Sequence, residues 1–138
     1  MIVYLDTSIL LRILLGQGPA LKEWGAWERA YTTELTGVEA RRAIDRLRLE
    51  GALDDAGVVA AQEELTALET SIGRIRLSRV VLRRASLPMA TAVKTLDALH
   101  LAGALLFQER RGVSMVFATH DTQQATAARA LGFSCIGV

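Results

Sequence analysis

MIVYLDTSILL, residues Met1 to Leu11, carries the clearest sign of the chain's architecture. Ile2 to Leu5 is a short apolar run rich in strand-forming residues. Asp6, Thr7 and Ser8 interrupt it, and a second apolar run, Ile9 to Leu11, comes next. An uninterrupted apolar run this short reads as a strand buried on both faces, as in a parallel sheet. Asp, Thr and Ser are the residues a helix N-terminus uses. The stretch therefore reads strand, acid, helix, with Asp6 at the carboxyl end of a central strand. Ligands of open α/β sheets bind at that edge. An acid there is either a helix cap or a site residue.

Further along the chain the pattern repeats. The break Gly16-Gln17-Gly18-Pro19 precedes a predicted helix over Pro19 to Arg29, since proline suits a first helical turn. Ala30 to Thr33 reads as a second strand, with Thr32 or Thr33 available to cap the next helix. Glu34 to Glu50 is that predicted helix, with apolar positions at Leu35, Val38, Ile44 and Leu47, closed by Gly51. Asp54 or Asp55 caps a further helix that runs to Ser71 and stops at Gly73. Arg74 to Leu77 alternates as a strand does. Ser78 caps a short helix, Arg79 to Ala85, and Pro88 marks a loop. Leu96 to Arg111, LDALHLAGALLFQERR, is apolar nearly all round, so it should lie deep; Gly112 ends it. Val113 to Thr119 is the next strand, then a helix to Leu131, a stop at Gly132 and a last strand, Phe133 to Val138. Strands alternating with helices define an α/β fold with a mainly parallel sheet.

Size and composition narrow the class. The 138 residues suit one domain, 1–138, and half of them are apolar, which argues for a packed core. No apolar stretch approaches the roughly 20 residues of a membrane span, and no basic, apolar leader opens the chain. The expectation is a cytoplasmic protein without a membrane partner. The one cysteine, Cys135, reads as a small buried apolar residue. Net charge is +1, from 16 basic and 15 acidic residues, and by itself points to no partner. No glycine-rich phosphate loop is present, and Ser8 has no general-base histidine in its vicinity along the chain.

Four acids stand out. Asp121 repeats the design of Asp6: an acid straight after an apolar strand, opening a helix. Each can be a cap or a site residue. Glu39 lies inside a helix and caps nothing; its plain reading is a surface pair with Arg42 or Arg46. Asp97 sits near the start of the apolar helix, between Leu96 and Ala98. It can serve the helix dipole, but its flanks argue for burial, and a buried unpaired carboxylate needs a partner. His100, three residues on, is either a packed, hydrogen-bonded histidine or a zinc or manganese ligand. His120, beside Asp121, is a further candidate at the mouth of the site.

These residues carry a resemblance. YLDTSILL with Asp6, TTELTGVEARRA with Glu39, KTLDALHLAGAL with Asp97 and FATHDTQQATAARALGF with Asp121 resemble, in order and spacing, the motifs of PIN domains. Within that family the chain looks like the VapC-type toxins of bacterial toxin–antitoxin pairs. The resemblance implies a three-layer α/β/α fold with the four acids gathered at the strands' carboxyl ends. It implies a magnesium- or manganese-dependent endoribonuclease, a VapB-like antitoxin as partner and a homodimer. Asp6, Glu39, Asp97 and Asp121 are then the catalytic, metal-holding residues, since hard oxygen donors suit these ions. Thr7 and Thr119 stand where they could orient the acids. Setting the four acids aside leaves 16 basic residues against 11 acidic ones, a balance that favours an RNA backbone. Arg42, Arg46, Arg83, Arg84 and Lys94 are candidate contacts. The competing reading is a non-catalytic α/β interaction module whose acids are caps and salt bridges; capping accounts for Asp6 and Asp121 but not for Glu39 and Asp97.

Overall fold

A computed structural model describes residues 1–138. β1 (Ile2–Leu5) leads into α1 (Thr7–Leu15), and β2 (Arg29–Thr33) into α2 (Leu35–Leu49). After α3 (Asp55–Ser71) come β3 (Gly73–Ile75), α4 (Arg79–Ser86) and α5 (Thr95–Arg111). β4 (Met115–Ala118), α6 (Thr122–Ala130) and β5 (Ser134–Ile136) complete the chain. The five strands form one parallel sheet in the order β3-β2-β1-β4-β5. β1 is central, and its Val3, Tyr4 and Leu5 are fully buried, as a strand covered on both faces must be. Val3 and Leu5 pack with Ile9 and Leu10 of α1 on one face. Tyr4 turns to the other face, against Leu101 and Ala104 of α5 and Ala127 and Ala128 of α6. Helices on both faces make three layers, α/β/α. No helix is long and apolar enough to cross a membrane.

The strand order decides where the acids go. β4 lies beside β1 with Leu5 opposite Ala118, so the loops after the two strands, carrying Asp6 and Asp121, are neighbours. The main-chain N–H of Asp6 donates to the Ala118 carbonyl at 2.9 Å and ties the two strand ends together. The apolar helix is buried over Ala98 to Ala104, except Leu99, as its composition leads one to expect. It lies close on the sheet because of Gly103: a Cβ there would stand 2.6 Å from the Thr33 methyl of β2.

Three local expectations are corrected. Pro19 to Arg29 is not a helix. It holds one turn over residues 22–25, and Gly25 at φ +81° is a left-handed position that a right-handed helix cannot carry. Leu21 is pulled into the core instead, and Trp24 meets Trp27 edge to face. Gly73 does not stop α3; it opens β3, where a side chain would collide with the Tyr31 ring 2.5 Å away. Neither Thr32 nor Thr33 caps α2. The residue before that helix is Glu34, which makes no side-chain cap, and Thr32 instead bonds the Thr36 hydroxyl at 2.6 Å. By contrast, Asp6, Asp54, Ser78 and Asp121 each cap the helix that they precede.

The close seat of α5 generates a prediction. Gly103→Ala forces a methyl against the stiff Thr33 side chain and should cost about 1–3 kcal/mol, as overpacking of a core does. Thr33→Ser removes the obstructing methyl, so the double variant should recover part of that loss. Urea unfolding of the two variants and the wild type measures both effects.

Candidate active site

Asp6 is almost completely buried at the head of α1. One carboxylate oxygen, Oδ2, accepts from the Ser8 N–H at 3.0 Å and the Ser8 hydroxyl at 2.6 Å. The other, Oδ1, accepts from the Gln124 amide at 3.1 Å. Asp121 caps α6 by accepting from the Gln124 N–H at 3.0 Å. Its own N–H donates to Thr119 Oγ1 at 3.0 Å, and that hydroxyl donates to Gln124 Oε1 at 2.7 Å. Gln124 is fully buried and so braces both strand-end acids through one residue.

Glu39 reaches the same edge from α2. It makes no ion pair with Arg42 or Arg46; Arg42 faces Asp45 instead. Its Oε1 accepts from Thr7 Oγ1 at 2.7 Å and lies 2.6 Å from His100 Nε2. His100 is buried in α5, with Nε2 also 3.6 Å from Asp6 Oδ1 and Nδ1 sharing a hydrogen bond with Tyr4 Oη at 2.5 Å. Burial alone would lower the His100 pKa. The hydrogen bond to Glu39 and the charges of Asp6, Glu39 and Asp97 outweigh it and raise the pKa above the ordinary value. Burial likewise keeps the Tyr4 phenol protonated. His100 is thus a packed, hydrogen-bonded histidine, and what it is bonded to is the acidic edge itself. Thr7 and Thr119 touch Glu39, Asp6 and Asp121 as the sequence leads one to expect.

Asp97 stands in the first turn of α5, half-buried. Burial first, then the charges of Asp6 and Asp121, and more weakly Glu39, push its carboxyl up to about 6 against the pull of His100. No hydrogen bond offsets that push. Asp6 and Glu39 thus meet at His100, Asp6 and Asp121 share Gln124, and Asp97 feels the charges of all three. As the side chains stand, no group of three or more His, Cys, Asp or Glu residues is gathered closely enough to hold a metal ion. Asp6 and Glu39 are instead held by their protein partners. In donor type the set fits a magnesium- or manganese-like ion: four hard carboxylates, one of them unpaired and repelled by the rest.

His120 makes no side-chain bond to any of the acids, and its main-chain N–H donates to Ser8 Oγ at 3.0 Å. Its Nδ1 lies 2.7 Å from the Gly137 carbonyl, so that nitrogen carries the proton and the ring packs at the end of β5. Sequence reasoning misses Ser8 and Gln124 as site residues. Gln124 does have a local signal, since Asp121 and Gln124 have the spacing of a capping box; its side chain, however, turns to Asp6 and Thr119.

The chain matches the PIN domain model over residues 3–130 and belongs to that family. It has no match among curated proteins. PIN domains are generally nucleases, and those nucleases generally use divalent metal ions.

The electrostatics of the edge generate two predictions. Asp97 holds its proton in the folded chain up to about pH 6 but releases it near 3.8 when unfolded. The folded state binds more protons between these values, so this contribution to stability falls as pH rises through the window. Asp97→Asn should therefore stabilise the metal-free protein at pH 7 by about 1 kcal/mol, a figure discounted for the exposed half of the group. The gain should vanish below pH 3.8, and paired melting curves in chelator at pH 7 and pH 3.5 check both limbs. His100→Ala leaves Glu39 and Tyr4 without their shared partner and opens a cavity; it should cost about 2–4 kcal/mol in urea unfolding.

Proposed function

We propose that this PIN domain is a metal-dependent endoribonuclease that acts as the toxin of a toxin–antitoxin pair. The observation that carries the reading is the meeting of Asp6 and Glu39 at His100 Nε2, at 3.6 and 2.6 Å, beside Asp121, which shares Gln124 with Asp6, and Asp97, whose carboxyl these acids push up. At intermediate dielectric, two carboxylates 4 Å apart repel by about 4 kcal/mol. Helix capping accounts for Asp6 and Asp121 and would suit a non-catalytic interaction module. It gives no reason to bring Glu39 and Asp97 to the same edge.

Asp6, Glu39, Asp97 and Asp121 would hold magnesium or manganese. When bound there, the ion supplies an activated water and offsets charge on a phosphodiester in an in-line displacement. The chain's own part is positioning. Thr7 and His100 aim Glu39; Ser8 and Gln124 hold Asp6; Thr119 and Gln124 fix the loop that carries Asp121. The carboxylates around His100 favour its cationic form, and that form would offset part of the acids' charge. The substrate this suits is single-stranded or loop RNA, whose backbone is reachable at an open sheet edge. The resemblance to VapC-type toxins supports an antitoxin of VapB type as the partner, a homodimer as the working form and the cytoplasm as its place.

The test is cleavage of total cellular RNA by the purified protein, freed of any partner, with magnesium, manganese or chelator. Discrete fragments should appear only with metal. Asp97→Asn should reduce cutting by at least about 100-fold, because one ligand charge is lost while the fold is kept. Cutting by Asp97→Asn at the wild-type rate would sink the assignment and favour the interaction module. Expression of the wild type alone should arrest growth, and the variant should not.

A further inference from the structure

α5 carries an acid of the site at its first turn and a basic groove at its last. A cavity of about 440 Å³ opens between β3, the start of α4 and the C-terminal half of α5. Arg74 and Arg76 line it from the sheet edge, and Arg110 and Arg111 line it from α5. Glu109 is the one carboxylate in its wall. Arg74 makes an outlying ion pair, 3.5 Å from Glu69, and the other three arginines pair with no acid. Arg74 turns its guanidinium toward Glu69 of α3, so the unpaired cations of this wall are Arg76, Arg110 and Arg111; arginines at a helix C-terminus satisfy the dipole without needing another from the sheet edge. Arg111 also lies over the Phe107 ring, 5.3 Å from its centre, and both residues line the groove.

We infer that this groove is a second RNA-binding site, one that grips the substrate's phosphate backbone away from the acidic edge. The inference rests on the nuclease reading and names the part of the chain that holds the substrate. Arginine suits the task because its planar fork bonds phosphate oxygens in pairs. Asp97 and Arg110 are 13 residues apart on one helix, about 20 Å along its axis at 1.5 Å per residue. A strand stacked at about 3.4 Å per nucleotide needs roughly six nucleotides to span that distance. The occupant is thus a polynucleotide that extends well past the bond being cut.

The experiment is fluorescence anisotropy of a labelled single-stranded 20-nucleotide RNA in chelator, across a salt series, with Arg110→Gln/Arg111→Gln. Glutamine removes both guanidinium charges, including the one over Phe107, and keeps a polar side chain of shorter reach. A charge-matched control, Arg12→Gln/Arg129→Gln, removes two positive charges outside the groove. The groove variant should bind about ten-fold more weakly, and its salt slope should fall by about 1.4, two contacts at 0.7 each. The control should stay within about two-fold of wild type. Equal loss in both variants, or in neither, overturns the groove. So does displacement of the RNA by polyglutamate at equal charge concentration, which would mark a surface for acidic protein. Failure of the nuclease reading looks different: wild type that binds this RNA but never cuts RNA with metal leaves the groove standing. Wild type that binds no RNA removes both.

Discussion

The contact between His100 and Glu39 holds the acidic edge together. A glutamate on α2 and a histidine on α5 sit on opposite faces of the sheet, yet their side chains meet at 2.6 Å over its edge. Carboxylates do not gather in a half-dry place without something positive or protic beside them. Here Thr7 and His100 take Glu39, and Tyr4 takes the far side of the imidazole. Tyr4 and Asp6 are two residues apart and so address the same face of β1. One histidine can therefore touch both. The pairing links β1, α2 and α5 through polar groups that are nearly all buried, and a network of that kind is rigid only while every member is satisfied.

α5 explains how such a network is positioned. It is apolar on most sides because it is wedged among α4, the sheet and α6. Gly103 lets it come within a methyl's distance of β2. The same helix has a polarity of charge that its dipole favours, with Asp97 in the first turn and Arg110 and Arg111 in the last. For a nuclease this separation is useful. The acidic end must attract a polyanion despite its own charge, and a basic groove about 20 Å away on the same rigid rod can hold the strand.

Much of the site was legible residue by residue. Asp6 and Asp121 were visible as acids placed after apolar strands, and both are indeed caps as well as members of the edge. Glu39 and Asp97 stood out because capping did not account for them, although a surface pair and the helix dipole were local alternatives. The partners were not visible. His100 read as packing or as a ligand, and Gln124 was not singled out, although it is the brace between Asp6 and Asp121. Sequence spacing reports neighbours three and four residues apart on a helix; His100 and Glu39 are separated by 61 positions and Gln124 and Asp6 by 118.

The order of strands and helices, most of the caps and the class of the sheet could be read from the chain alone. These come from hydrophobic period and capping chemistry, which act over a few residues. Only the folded arrangement places β4 against β1, so that two distant acids share an edge. Only there does Pro19 to Arg29 give up a helix to bury Leu21, and only there do Arg76 and the arginines ending α5 line one cavity. Such outcomes turn on which surfaces are buried together. Burial is a cooperative choice of the whole chain, and no local window of sequence contains it.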